Sequence, residues 1–288
     1  MPKKNDLVAP VLKWVGGKRQ LIPAITKLLP KKFNNYYEPF IGGGALFFHL
    51  QPKNAVINDV NADLINVYQV IKDNPDELIE DLKEHQNTSE YFYNIRNLDR
   101  SDEINLLSNI QRASRVLFLN KTCFNGLYRV NNAGEFNTPF GFYKNPNIVN
   151  HITIKAVSNY LNTNNINISN IDYADCISDI KKGSFVYFDP PYHPITQTSN
   201  FTGYVQGGFN IAEQERLKSV CDLLNSKGIS FLLSNSSADF IRDLYKDYTI
   251  HTVQATRQIN SVAEKRGAVD EVLICNYECT LKKYIAVI

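Results

Sequence analysis

Two consecutive prolines, Pro190 and Pro191, stand one residue beyond the apolar run Ser184-Phe185-Val186-Tyr187-Phe188, with Asp189 between. An unbroken apolar run of this kind predicts a strand buried on both faces, as in a parallel sheet. Proline has no backbone donor and bars helical geometry in the residue before it, so the strand must stop at Asp189. Asp189 and Tyr192 are thereby held at the carboxyl end of a strand, where open α/β sheets bind their ligands. Asp189 and the Pro190 carbonyl supply two acceptors, enough for both hydrogens of a planar exocyclic amine. Tyr192 supplies a flat face on which a base can stack. An aromatic amine is a poor nucleophile because its lone pair spreads into the ring, and two acceptors that pull it toward tetrahedral geometry localise that pair. The plainer alternative is an Asp capping a turn beside a surface Tyr.

The preceding chain supplies a second cluster. Lys13-Trp14-Val15-Gly16-Gly17-Lys18 invites a phosphate-loop reading but fails it, because no glycine stands at the first position of that motif and no Ser or Thr follows Lys18. Trp14 is the one Trp of the chain, and a ligand role and a packed N-terminal arm are equal alternatives for it. Tyr36 to Phe40 predicts a short strand, Gly42-Gly43-Gly44 a sharp turn that lets backbone approach a ligand, and Ala45 to Leu50 a helix. Phe47 stands where a dinucleotide fingerprint needs its third glycine. Ala55 to Asp59 predicts a second strand ending in an acid, a little under ~20 residues after the glycines, where ribose-binding carboxylates fall. A nucleoside with a free ribose is the expectation.

Residues 66–155 are polar, with helical runs expected near 75–86 and 103–120. Tyr128 to Val130 and Glu135 to Asn137 predict a hairpin. Around it, aromatics alternate with Lys121, Arg129, Lys144 and several Asn, the mixture that base stacking plus phosphate contact requires. Strands are then expected at Asn165 to Ser169, at the proline-terminated run, at Ile229 to Asn235, and as a closing pair, Thr249 to Ala255 and Glu271 to Tyr277. A long polar loop, Ile195 to Asn210, reads as a lid, Ile211 to Ser226 as an amphipathic helix closed by Gly228, and 256–268 as a mobile loop. Strand–helix units, an inserted polar segment and further units describe a mostly parallel, doubly wound sheet.

Formal net charge is only +2 over 288 residues, so nucleic-acid binding must come from a local patch. The 43% hydrophobic content suits one large α/β domain, with or without an insertion. Five cysteines are scattered, and Cys275 and Cys279 lack a second pair to complete a zinc site, so reduced thiols and no metal are expected. Neither a signal peptide nor a membrane span is expected.

The motifs Lys13 to Lys18, Glu38-Pro39-Phe40-Ile41-Gly42-Gly43-Gly44-Ala45, Asn58-Asp59-Val60-Asn61, Phe124-Asn125-Gly126-Leu127-Tyr128-Arg129, Pro139-Phe140-Gly141 and Asp189-Pro190-Pro191-Tyr192 occur in this order. In this respect the chain closely resembles the Dam-type (class alpha) DNA adenine-N6 methyltransferases, and among them the DpnM-like, GATC-specific enzymes of type II restriction–modification systems. The resemblance covers nearly the whole chain. It implies a Rossmann-like S-adenosylmethionine-dependent methyltransferase sheet (residues 1–65 and 156–288) with an inserted, mainly helical target-recognition domain carrying a β-hairpin (66–155). It implies S-adenosylmethionine as donor, S-adenosylhomocysteine as product, Asp189, Pro190, Pro191 and Tyr192 as the catalytic motif, and no metal. The cofactor positions it implies are Trp14, Lys18, Glu38, Phe40, Gly42, Asp59, Asp172, Tyr173 and Asp189.

For DNA the resemblance implies Leu127, Arg129, Lys13 and Tyr143 as base readers, Phe124 and Asn125 as the wedge, and Lys121 and Asn131 at phosphates. Phe142 departs from it, since several relatives carry Arg there. The implied partners are double-stranded DNA and a functionally paired restriction endonuclease that forms no stable complex with it. The implied location is the bacterial cytoplasm at the nucleoid, with a phage gene as the other source. Three alternatives compete. They are an N4-cytosine methyltransferase, disfavoured because those enzymes favour Ser in place of Asp189, an RNA adenine methyltransferase, and a DNA-binding protein with a dead catalytic fold.

Overall fold

The computed structural model describes residues 4–14, 16, 18–195, 209–256 and 268–279. Its strands are β1 (Asn35–Glu38), β2 (Asn54–Asn58), β3 (Asn165–Ser169), β4 (Ser184–Phe188), β5 (Ser230–Ser236), β6 (Thr249–Thr256) and β7 (Ala268–Cys275). Its α-helices are α1 (Ile22–Leu28), α2 (Ala45–Leu50), α3 (Ala62–Asp73), α4 (Pro75–Lys83), α5 (Ser89–Asn97), α6 (Asn109–Thr122), α7 (His151–Thr163), α8 (Ile211–Ser226) and α9 (Asp239–Leu244). Among the described residues the strands form one sheet in the order β3-β2-β1-β4-β5-β7-β6.

The first five strands of that order are parallel. β7 runs antiparallel between β5 and β6, so the predicted closing strands lie next to each other and the later one sits inside. All five residues of β4 are buried, as its unbroken apolar run requires for a central strand covered on both faces. Its side chains alternate between two cores. Phe185 and Tyr187 join the face built with α1, α2, α3 and α7, while Val186 and Phe188 join the face built with α8 and α9. The result is a three-layer sandwich with the sequence reversal between β1 and β4 at its centre. Chain order moves outward from that point in both directions, which opens a crevice at the strands' carboxyl ends.

The segment between α3 and α7 is helical and contributes no strand to the sheet. Residue 66 lies inside α3 and residue 155 inside α7. Leu78, Phe92 and Phe118 from this segment share one continuous core with Phe47, Ile57 and Phe185. The helical run expected over 103–120 divides: Asp102–Leu106 is a 3-10 turn, and α6 starts afresh at Asn109. Ser108 forces the restart through a capping box, its hydroxyl accepting from Gln111 N while the Gln111 side chain accepts from Ser108 N. The predicted hairpin contracts to one antiparallel bridge, Val130 with Phe136, supported by Asn131 N to Glu135 O at 2.9 Å and Asn137 N to Arg129 O at 2.9 Å. The segment stays short because Asp99 takes over: its carboxylate accepts from Phe136 N at 2.7 Å and pairs with buried Arg115 at 2.9 Å.

No helix among the described residues is long and apolar enough to cross a membrane. Most of the expected lid and of the expected mobile loop, together with Val15 and Gly17, lies outside the described residues.

Candidate active site

Acids stand at the carboxyl ends of three neighbouring strands: Glu38 closes β1, Asp59 follows β2 and Asp189 follows β4. The parallel topology brings them to one edge. Asp189 accepts from Ser234 Oγ of β5 at 2.8 Å and pairs with Lys18 Nζ at 2.9 Å. Burial raises the Asp189 carboxyl above its ordinary value, against the Lys18 charge and hydrogen bond and the Ser234 hydroxyl. Lys18 Nζ also donates to Gly16 O at 2.7 Å and lies 4.2 Å from the centre of the Tyr192 ring. A nitrogen donor therefore sits over the tyrosine face and against the aspartate oxygen at once.

The backbone of the motif is fixed from behind. Gln214 Nε2 donates to Pro191 O at 3.0 Å, Asn235 Nδ2 donates to Gln214 Oε1 at 3.1 Å, and His193 N donates to Asn235 Oδ1 at 3.1 Å. Gln214 and Asn235 are both fully buried. The Tyr192 hydroxyl donates to Glu271 Oε2 of β7 at 2.8 Å. Ser234, Gln214 and Glu271 are thus site residues that the sequence reading missed. The signal for part of this was present, since β5 ends in Ser234-Asn235-Ser236, polar yet buried.

The glycine turn has two roles. Asp59 Oδ2 accepts from Gly42 N at 3.0 Å and Asp59 Oδ1 from Asn61 N at 3.0 Å, so the acid organises the turn that begins α3. Gly42 has φ +48°, and a Cβ there would come within 2.8 Å of the Trp14 ring; one at Gly43 would lie 3.1 Å from Trp14 Cβ. The glycines are needed because Trp14 lies on them. Its ring stacks on Tyr128, centroids 4.6 Å apart at 22°. Trp14 is therefore packed between the glycine turn and the 124–143 segment. Glu38 is buried and accepts from Tyr36 Oη at 2.6 Å. Burial raises its carboxyl well above the ordinary range.

Asp59 makes one prediction. Burial lifts its carboxyl from 3.8 to about 6, against backbone hydrogen bonds from Asn61, Gly42 and Val60. The folded protein therefore holds this proton more tightly than the unfolded chain does. That contribution to stability is complete below 3.8 and is lost as pH rises through about 6. Urea unfolding of wild type and Asp59→Asn at several pH values should give a stability difference that drifts across this window. A difference independent of pH would remove the shift.

Beside the turn is an aromatic slot. Phe40 and Tyr173 have centroids 5.1 Å apart, and Phe209, which sequence reading missed, lies 5.9 Å from Phe40 and 6.2 Å from Tyr173. Asp172 at its rim is held by Arg216 through contacts of 2.6 and 2.9 Å. That hydrogen-bonded pairing is the main reason its carboxyl lies below the ordinary value.

The residues expected to face DNA divide into two groups. Lys13, Phe124 and Asn125 are exposed and lie together. Asn125 adopts φ +58° and donates its N–H to Tyr143 Oη at 3.0 Å. Phe142, the departure noted from the family pattern, also has positive φ, +54°, and is 77% exposed. The buried Asn120 side chain holds Lys13 in place: it accepts from Lys13 N at 2.9 Å and donates to Lys13 O at 2.7 Å and to Gly126 O at 3.1 Å. Leu127 and Lys121 are half-buried nearby. Arg129 and Asn131 are turned inward. Arg129 Nε donates to Asn137 Oδ1 at 2.6 Å, and Asn131 caps its own turn, accepting from Ala133 N and Glu135 N at 3.0 Å each.

A family profile described as D12 class N6 adenine-specific DNA methyltransferase matches residues 14–259. The chain is 47% identical over 278 residues to the type II methyltransferase M1.LlaDCHI of Lactococcus lactis subsp. cremoris, covering 96% of this chain and 98% of that protein. It is 40% identical over 290 residues to the type II methyltransferase M.MjaIII of Methanocaldococcus jannaschii, covering 94% and 99%. With the DNA adenine methylase of Escherichia coli strain K12 it shares 34% identity over 271 residues, covering 91% and 93%.

Proposed function

The chain belongs to the D12 class of N6 adenine-specific DNA methyltransferases, and we propose that it methylates adenine in duplex GATC, with S-adenosylmethionine as donor and the target base flipped out of the helix. The observation that carries this reading is the shared contact point of Asp189 and Tyr192. A nitrogen donor, Lys18 Nζ, fills it, 2.9 Å from the carboxylate and 4.2 Å from the ring centre. An adenine amine entering there takes the same two neighbours once Lys18 withdraws.

The residues at the strand ends fit the cofactor chemically. The Phe40, Tyr173 and Phe209 slot suits a purine, Asp59 suits a ribose, and Trp14, Lys18, Glu38 and Gly42 line the space between. Bound there, S-adenosylmethionine supplies an electrophilic methyl group. The protein's own part is positional. Tyr192 stacks on the extruded adenine, which costs a few kcal/mol to unstack. Asp189 and the Pro190 carbonyl accept the two amine hydrogens and localise the lone pair. Ser234 and the Gln214–Asn235 pair keep these acceptors from moving as charge develops, so little reorganisation is left for the reacting state.

Residues 66–155 serve as the DNA-reading part. Lys13, Phe124, Asn125 and Tyr143 form one exposed cluster that suits base and phosphate contact, with Lys121 and Leu127 beside it. Arg129 reads a guanine after releasing Asn137, and Asn131 shapes the turn that presents it. Arg129→Ala is expected to relax the preference at one base pair by about 1–3 kcal/mol. Competition between cognate and singly substituted duplexes measures this, and an unchanged preference would remove Arg129 from the readout. Protection from a cognate restriction endonuclease is the proposed role, supported by relatives described as type II methyltransferases.

Methyl transfer from labelled S-adenosylmethionine to two short duplexes, one GATC and one GTAC, tests the whole reading. Label on the first only, recovered as N6-methyladenine, is expected. Label on both would keep the chemistry and discard GATC. Label on neither would discard the donor or the duplex substrate.

A further inference from the structure

At the sheet edge opposite the site, three soft ligands meet. His251 of β6 and Cys275 of β7 lie on one face, because Thr249 pairs with Cys275 and His251 with Leu273, and strand side chains repeat every second residue. The chain turns after β7 and returns Cys279 to the same point. One ligand atom from each of His251, Cys275 and Cys279 lies within 4.8 Å of the others. The two sulfurs are 3.2 Å apart, and Cys275 Sγ is 3.9 Å from His251 Nε2. A tetrahedral zinc with bonds of about 2.3 Å to sulfur and 2.0 Å to nitrogen sets these edges at roughly 3.8 and 3.5 Å. From the present spacing of 3.2 Å between the sulfurs and 3.9 Å from Cys275 Sγ to His251 Nε2, with all three atoms within 4.8 Å, the sulfurs must part by about 0.6 Å and the imidazole must move in by up to about 1 Å.

We propose that His251, Cys275 and Cys279 form a zinc site that ties β6, β7 and the following turn to one another. Both cysteines are free thiols. In the metal-free arrangement they are held by backbone carbonyls: Cys275 Sγ donates to Tyr277 O at 3.4 Å and Cys279 Sγ to Leu28 O at 3.6 Å. Zinc binding releases both thiol protons to solvent, forms two Zn–S bonds and one Zn–N bond, and leaves a fourth position for water. Tyr277 Oη, which donates to Leu28 O at 2.8 Å, already ties this turn to α1. The site is separate from the active site, because β7 is antiparallel and Cys275 lies a strand's length from Glu271.

The test is titration of the chelated, reduced full chain with Zn²⁺, and separately with Co²⁺ as a spectroscopic probe. One equivalent of zinc is expected, with thiolate-to-cobalt charge-transfer bands, the intense visible bands of a four-coordinate ion, and a thermal midpoint that rises with zinc concentration. Cys279→Ser and His251→Gln should lose all of these, and Cys176→Ser should keep them. Substoichiometric zinc, an octahedral cobalt spectrum, or unchanged binding by Cys279→Ser would overturn the site.

A second observation stands on different contacts and rests on the proposed methyl transfer. Tyr192 is held at its hydroxyl by Glu271 Oε2 at 2.8 Å, a carboxylate delivered by the one antiparallel strand among those lining the site. A stacking ring can tilt about its Cα–Cβ bond, and fixing the far end removes that freedom. We infer that Glu271 is a positioning residue for Tyr192. Glu271→Leu should lower kcat at least tenfold with little change in KM for DNA, and Glu271→Gln, which keeps an acceptor, should recover most of it. With Tyr192→Phe, which lacks the donor, Glu271→Leu should add nothing. With 2-aminopurine at the target position, Glu271→Leu should alter the fluorescence of the extruded base. Losses that simply add in the double variant would overturn the assignment, whereas a wild type that methylates nothing would instead refute the underlying reaction.

Discussion

Asp189→Ala is expected to lower methyl transfer roughly a hundred- to a thousandfold, the scale on which removal of one preorganised polar group at a reacting centre is felt. Duplex binding should change little, because the exposed cluster around Lys13 and Phe124 does not involve Asp189. The carboxylate is held from two sides, by Ser234 at 2.8 Å and Lys18 at 2.9 Å. Its removal leaves Lys18 with Gly16 O and the Tyr192 ring. Lys18 then has less reason to stay, so entry of the base should become easier while its activation fails. Single-turnover methylation beside a gel-shift titration separates the two effects. A wild-type rate would refute the mechanism, and parallel loss of rate and DNA binding would make Asp189 a structural residue instead.

Asn120→Ala is expected to destabilise the fold by about 2–4 kcal/mol, because each buried backbone group left without a partner costs about 1–3 kcal/mol. One amide side chain here does what a strand neighbour does in a sheet: it takes both the N–H and the C=O of Lys13, and adds the Gly126 carbonyl. Alanine leaves all three groups unpaired, the Gly126 carbonyl buried and the two groups of Lys13 partly so. Urea unfolding measures the loss, and an unchanged midpoint and slope would show that water replaces the amide freely. DNA affinity should fall as well, since Lys13 is released from the surface it shares with Phe124.

The strands were legible where apolar runs met clear stops. Pro190 and Pro191 end β4; β1 stops at Glu38 before Pro39, short of the Phe40 expected, and the glycine turn follows. The acids at the strand ends were legible for the same reason, because a parallel sheet collects its carboxyl ends at one edge. The partners of those acids were not. Ser234, Arg216 and Glu271 each lie more than 40 residues from the group they hold, Gln214 lies 23 from Pro191, and no local pattern encodes such a pairing. Trp14 was ambiguous because its neighbours, Gly42, Gly43 and Tyr128, come from two distant segments. The three-residue ligand set was hidden likewise: Cys275 and Cys279 were visible as a pair, but His251 joins them only through the register of β6 on β7. The hairpin was overread because its residues also find partners outside it: Asp99 accepts from Phe136 N and Arg100 donates to Phe136 O.

The placement of β7 between β5 and β6 bears on how the molecule is made. Synthesis delivers β6 before β7, yet β6 has no position beside β5 without it. A growing chain therefore carries an open β5 edge and an unpaired β6 until β7 emerges and fits between them. Exposed edges of this kind recruit other strands, so this interval is when the nascent protein is most exposed to aggregation. Glu271 arrives on the same strand, so the Tyr192 hydroxyl gains its carboxylate partner only when the sheet closes.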